Sequence, residues 1–184
     1  MFIQTEQTPN PATLKFLPGC AVASAGTAHF ADAEAARRSP LAERLFAVPG
    51  VAGVFLGADF VTVSKVEEGD WYQLKPAILA AIMEHFTTGR PVFLWAEGDH
   101  TAAGAEAEDD EIVSQIKELL ETRVRPAVAQ DGGDIIFYDY QDGVVYLHMQ
   151  GSCSGCPSST ATLKAGIENM LRYYVPEVVE VRAV

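Results

Sequence analysis

The chain has 184 residues, 48% of them apolar, and its 25 acidic and 13 basic side chains give a formal net charge of −12. That size allows a buried core in one or two domains, the negative charge argues against a nucleic-acid partner, and no apolar run approaches the roughly 20 residues that cross a bilayer. Three cysteines are too few for a disulfide scaffold and the first residues lack a leader pattern, so a cytoplasmic protein with reduced thiols and no membrane partner is predicted.

The first hundred residues alternate short strands with helices, which predicts an α+β domain of one sheet and two helices. The predicted elements are strands at 2–7 and 13–17, a helix after Ser39-Pro40, strands at 51–56 and 60–66, and a helix from about Leu74. Ser39 suits an N-cap in front of a proline at the first helical position. Gly57-Ala58-Asp59 is a hairpin signal between the third and fourth strands. This half shows no catalytic constellation.

The charge changes abruptly in the middle of the chain. Residues 101–111 carry five acidic side chains and no basic one, and the other residues of this segment are small. Such a segment buries too little apolar surface to order itself, which predicts an acidic flexible linker at 98–108. A solvated loop within one domain is the alternative. The predicted domains are therefore 1–97 and 109–184.

The second domain is predicted to have the order α-β-β-α-β. Apolar residues at helical spacing predict a helix over 112–124, which Pro126 ends or bends. Two strands, 135–140 and 144–150, are joined by the hairpin signal Gln141-Asp142-Gly143. A second helix begins at about Pro157 and Pro176 ends it. An edge strand is predicted at 178–181.

The segment GSCSGCPSS at 151–159 lies between the second strand and the second helix of this domain. Two residues between Cys153 and Cys156 let both sulfurs turn to one side of a loop. Pro157 suits the first helical position, which makes Cys156 the predicted N-cap. The positive end of the helix is expected to lower the pKa of both thiols and to favour the thiolates that bind metal.

The number of sulfur donors limits the chemistry. Zinc and the common iron–sulfur clusters take four protein ligands, whereas this domain offers two thiols. His148 is predicted to be a packed or hydrogen-bonded strand residue, and Cys20 a small buried apolar side chain. Two copies of the chain supply four thiolates, which predicts a metal centre bridging a homodimer. A thioredoxin-like dithiol oxidoreductase and a zinc-bridged dimerisation module remain as alternatives.

The sequence Asp131-Gly132-Gly133-Asp134, hereafter the 131–134 turn, precedes the first strand of the second domain. One interpretation is structural, with glycines that permit a tight helix-to-strand connection. The other is that Asp131 or Asp134 shapes the surroundings of the bound metal or a partner contact. If the fold brings these carboxylates close to the cysteines, they oppose formation of the thiolates.

Two parts of the chain resemble known domains. The stretches RPAVAQDGGDI, VYLHMQGSCSGCPSST and LKAGIENMLRYYVPEV, within about 111–181, resemble the C-terminal domain of the NifU family. The opening IQTEQTPNPATLKFLPG resembles the N-terminal domain of Nfu-type proteins. Together the matches cover nearly the whole chain in the family's usual domain order.

The resemblance implies an iron–sulfur cluster scaffold or carrier that is not an enzyme. By position, Cys153 and Cys156 are the implied ligands of a cluster, 4Fe-4S or alternatively 2Fe-2S, that two subunits share. The implied partners are upstream assembly proteins and the apo-proteins that receive the cluster. The chain lacks the extra cysteine-rich domains of longer nitrogen-fixation members, so docking of a cysteine desulfurase is not implied. Cys20 stands where relatives often carry a basic residue, and no ligand role is implied for it.

Overall fold

The chain folds as two compact units, Met1–His100 and Thr101–Val184, each with helices and strands, which confirms the predicted α+β class. The computed structural model describes residues 1–24, 26–94, 110–154 and 157–184, without the side chains of 157–159. The predicted linker at 98–108 lies outside the described residues. The domain bounds drawn from it therefore stay a prediction.

The first unit is built on a five-stranded antiparallel sheet of order β1-β2-β5-β4-β3. Its elements are β1 (Gln4–Gln7), β2 (Thr13–Leu17), β3 (Ala28–Phe30), α1 (Pro40–Phe46), β4 (Val51–Leu56), β5 (Val61–Lys65) and α2 (Trp71–Thr87), with a 3-10 turn at Ala35–Arg38. The sequence pattern missed β3, because three residues at a sheet edge are too few to show alternation. Helix α2 begins three residues before the predicted start, since the side chain of Asp70 accepts a hydrogen bond from the Tyr72 N–H at 2.9 Å.

Helix α1 begins where the sequence predicts. The Ser39 hydroxyl accepts a hydrogen bond from the Ala42 N–H at 3.2 Å and donates one to the Val92 carbonyl. Pro40 then occupies the first turn, where its missing N–H costs no hydrogen bond. The predicted hairpin between β4 and β5 is also confirmed.

The second unit has the predicted α-β-β-α-β order. Its elements are α3 (Glu111–Leu119), a π-helical turn (Leu120–Val124), α4 (Arg125–Gln130), β6 (Gly133–Gln141), β7 (Val144–Gly151), α5 (Pro157–Tyr174) and β8 (Glu180–Ala183). Strand β7 is central, antiparallel to β6 and parallel to β8. The last strand starts two residues later than predicted, because Val178 closes a turn onto the Val175 carbonyl. Among the described residues, no helix has the length and apolarity that spanning a bilayer requires.

Pro126 does not end the first helix of this unit. The helix widens into the π-helical turn before the proline and continues through α4 to Gln130. Pro126 then lies in the first turn of α4, where a missing N–H is tolerated. This arrangement extends the helix to the edge of the 131–134 turn and places Arg125 beside it.

One histidine of the first unit has a ring that is buried against an aromatic neighbour, Phe86. His85 of α2 is fully buried, and neither ring nitrogen has a hydrogen-bond partner among the described residues. Burial lowers the pKa of His85 below 6.5, and the charges of Arg44 and Arg90 lower it further. The ring therefore stays neutral to lower pH in the folded unit than in the unfolded chain, which takes up a proton as the pH falls below about 6.5.

We expect acid to destabilise the first unit through this histidine. Because the unfolded state binds the extra proton, the free energy of unfolding should fall between pH 7.5 and pH 5.5, and His85→Leu should reduce that fall. Urea unfolding followed by tryptophan fluorescence measures this, since Trp71 and Trp95 both lie in the first hundred residues. His29→Leu, at an exposed position, is the control. Equal pH dependence in wild type and His85→Leu would contradict the assignment.

Candidate functional site

Cys153 lies in the loop between β7 and α5, and this loop is held on both sides. The Ser152 hydroxyl donates a hydrogen bond to the Asp131 carbonyl, and the Ser152 N–H donates one to the Gly132 carbonyl at 3.3 Å. On the other side, the Thr160 hydroxyl of α5 donates to the Cys153 carbonyl at 3.1 Å. The backbone of Cys153 is therefore fixed between the 131–134 turn and the start of α5.

Gly133 of this turn lies beside the cysteine sulfur, where a side chain would have no room. A Cβ atom at position 133 would lie 2.5 Å from the Cys153 Sγ and 2.8 Å from the Gln150 carbonyl oxygen. Neither distance is compatible with van der Waals contact. In the β6–β7 ladder Gly133 faces Gly151, which ends its strand with a φ of +66°. Position 133 must therefore be a glycine for the sulfur to occupy this place.

The sulfur of Cys153 is buried in the core of the second unit. The residue is 6% exposed and belongs to the same apolar cluster as Leu147 and Leu171. Burial raises the pKa of Cys153 from 9.0 to about 11; the Ser152 hydrogen bond opposes the rise, and the charges of Asp131 and Asp134 add to it. The prediction of a lowered pKa is wrong for Cys153, because loss of hydration outweighs the stabilisation expected from the helix end.

The second predicted ligand, Cys156, lies outside the described residues, as does Gly155. Its assignments as N-cap and as metal ligand therefore stay predictions. Helix α5 begins at Pro157, as the sequence predicts.

The structure also describes the other two candidate side chains, each within its own unit. His148 is exposed, and its Nδ1 lies 3.0 Å from the Val184 carbonyl oxygen, in agreement with a hydrogen-bonded strand residue. Cys20 is a half-buried free thiol of the first unit. Within the described ranges, no group of three or more His, Cys, Asp or Glu side chains is arranged to hold a metal ion.

Sequence reasoning missed the partner of one turn carboxylate. Arg125 donates from Nε to Asp134 Oδ1 and from Nη2 to Asp134 Oδ2, both at 2.8 Å. The Asp134 side chain is 3% exposed. The only signal in the sequence was the acidic residue itself, since the π-helical turn that aims Arg125 at it leaves no recognisable pattern. The structure supports the structural interpretation of the turn, because Gly133 leaves room for the sulfur. It also supports an effect of the carboxylates on the site, because the charges of Asp131 and Asp134 raise the pKa of Cys153.

Comparison with known proteins identifies both units. The model of the family described as "Scaffold protein Nfu/NifU N terminal" matches residues 3–89, and that of the "NifU-like domain" matches residues 116–182. The human "NFU1 iron-sulfur cluster scaffold homolog, mitochondrial" is 55% identical over 179 residues, which cover 97% of this chain and 70% of the human protein. The protein of the same name from Drosophila erecta is 54% identical over 185 residues, covering 100% of this chain and 65% of the relative.

This chain thus spans a little under two thirds of the length of the Drosophila relative. Among solved structures, the solution structure of a NifU-like protein from Saccharomyces cerevisiae has 26% sequence identity and a TM-score of 0.47, covering 52% of this chain and 87% of that one.

The predicted cytoplasmic location is contradicted by these relatives. The human and Drosophila proteins are named as mitochondrial. The prediction rested on the absence of a leader pattern in the first residues. Because the chain covers only part of its relatives, those first residues do not report on location.

The raised pKa predicts slow alkylation of Cys153 in the metal-free protein. At pH 7.5 almost all of this thiol is protonated, and the reactive thiolate fraction should rise as the pH approaches about 11. Iodoacetamide labelling followed by peptide mass spectrometry measures the rate at each cysteine separately. Cys153 should react more slowly than Cys20 at pH 7.5. A Cys153 rate that reaches its plateau by pH 8 would contradict the assignment.

We expect Gly133→Ala to displace the sulfur of Cys153. The added methyl group would overlap the Sγ atom, so the loop must move, at a cost of about 1–3 kcal/mol in the free energy of unfolding. Gly166→Ala is a matched control, because a Cβ at that position of α5 meets no atom within 4 Å. Urea unfolding together with the Cys153 alkylation rate tests this. Equal effects of the two variants would show that the close contact has no consequence.

Proposed function

The chain belongs to the Nfu/NifU family of scaffold proteins, and from this membership we propose that it carries iron–sulfur clusters on Cys153 and Cys156. The supporting observation is the Cys153 loop, which holds a sulfur donor between a glycine turn and the start of a helix. Thiolates are the usual ligands of iron–sulfur clusters. The cluster is the cargo of the protein.

The number of donors requires a second copy of the chain. A 4Fe-4S cluster takes four cysteine ligands and each copy offers two in this motif, so two copies share one cluster. The same arithmetic holds for a 2Fe-2S cluster. In this proposal the loaded protein is a homodimer around its cargo, and 4Fe-4S is the expected cluster.

The burial of the Cys153 thiol favours transfer of the cluster to a recipient protein. When Cys153 binds iron, its proton passes to solvent and the buried thiol becomes a thiolate. The rise in the pKa of Cys153 from 9.0 to about 11 corresponds to about 3 kcal/mol against the thiolate. This cost weakens the hold on the cargo. Transfer then proceeds by ligand exchange, in which thiolates of an apo-protein replace those of the carrier one at a time and Cys153 regains its proton.

The state of Cys153 counts against a dithiol oxidoreductase. Thiol–disulfide exchange is fastest when the attacking thiol has a pKa near the ambient pH, and in thioredoxin-like enzymes the pKa is lowered. Cys153 has a raised pKa and a buried sulfur. A zinc-bridged dimer uses the same four thiolates and is distinguished by the metal that it binds.

Reconstitution of cysteine variants tests the proposal. Anaerobic treatment with iron and sulfide should give about two iron and two sulfide per chain in the wild type, the stoichiometry of one four-iron cluster per two chains. Cys153→Ser and Cys156→Ser should each lose this cargo, whereas Cys20→Ser, the matched control, should keep it. Retention of the cargo by Cys153→Ser would refute the ligand assignment. Zinc alone, or disulfide reduction by the metal-free protein, would favour the alternatives.

A further inference from the structure

The ion pair between Arg125 and Asp134 joins the two ends of the connection that contains the 131–134 turn. Arg125 begins α4 and Asp134 is the second residue of β6, so the ion pair links the two elements that this connection joins. The guanidinium contacts both carboxylate oxygens, and the Ile135 N–H donates to Asp134 Oδ1 at 2.8 Å. A two-pronged contact fixes the orientation of the carboxylate as well as its distance.

The burial of this carboxylate makes the geometry costly to change. Asp134 is nearly inaccessible to water, and removal of Arg125 would take the positive charge away from a buried carboxylate. Arg125 is partly exposed, and on its outer side it also contacts Glu121, whose carboxylate faces solvent. The two acidic partners of Arg125 therefore differ: one is buried in the turn, whereas the other lies on the helix surface.

The turn that the pair closes is in direct contact with the cysteine loop. Gly133, adjacent to Asp134, packs beside the Cys153 sulfur. The carbonyls of Asp131 and Gly132 accept the two hydrogen bonds of Ser152. A shift of the turn therefore moves both the Gly133 backbone beside the sulfur and the two carbonyl groups that accept hydrogen bonds from Ser152.

We propose that the Arg125–Asp134 pair is a positioning element for Cys153: it fixes the 131–134 turn, keeps the sulfur in its buried place and so controls how readily this thiol is released. Its relevance to cargo exchange rests on the proposed function. The positioning itself is a property of the metal-free protein and is measured there.

Alkylation of Cys153 in the metal-free full-length chain tests the proposal. Asp134→Asn keeps the size of the side chain but removes its charge. Arg125→Lys keeps the positive charge but removes the planar pair of N–H donors that contacts both carboxylate oxygens. Both should accelerate iodoacetamide labelling of Cys153 at pH 7.5 by about tenfold or more, because a charge-assisted contact is lost. Asp134→Asn also removes a charge that raises the pKa of Cys153, so Arg125→Lys, which keeps both charges, is the variant that decides. The control Glu121→Gln, which alters only the exposed partner, should change the rate by less than about twofold. Cys20 should be unaffected in every variant and serves as the internal standard.

Amide hydrogen exchange distinguishes positioning from general stability. Leu147 is buried at the centre of β7, and its exchange reports opening of the whole unit. Faster alkylation of Cys153 with unchanged exchange at Leu147 supports the proposal. Acceleration of both by the same factor, or no change at Cys153 in a folded variant, overturns it. If Asp134→Asn fails to fold, Arg125→Lys provides the test.

The two proposals fail separately. A wild-type chain that binds no cluster would refute the proposed function and leave the alkylation result intact. Normal cluster binding together with an unchanged Cys153 rate in Arg125→Lys would refute only the positioning role.

Discussion

The contact between the sulfur of Cys153 and the backbone of Gly133 is the constraint on which the rest of the site depends. It brings the end of β7 against the start of β6 at a distance that leaves no room for a side chain. The hydrogen bonds of Ser152 and the ion pair between Arg125 and Asp134 hold the residues of the 131–134 turn in place. The 131–134 turn thereby fixes the loop that carries Cys153.

This contact also determines the chemical state of the thiol. A sulfur packed in an apolar core is protonated at neutral pH, so it is protected from oxidation and reacts slowly with electrophiles. In the proposed function, binding of iron removes the proton from this thiol.

Much of this architecture is readable from the sequence where a local signal determines the structure. The cap at Ser39, the β4–β5 hairpin and the order of the second unit all follow from residues that interact with near neighbours in the chain. The burial of Cys153 depends instead on a glycine twenty positions earlier, and the contact of Arg125 with Asp134 depends on a π-helical turn. Neither has a periodic signature. The pKa of Cys153 was mispredicted for the same reason, because the helix end is visible in sequence whereas burial is not.

Native mass spectrometry of the loaded protein tests the central claim most directly. After reconstitution and exchange into a buffer free of small thiols, the account predicts a species with the mass of two chains and one cluster, and single chains wherever the cluster has been lost. A single chain that retains a complete cluster under these conditions would contradict the claim that a second copy completes the site.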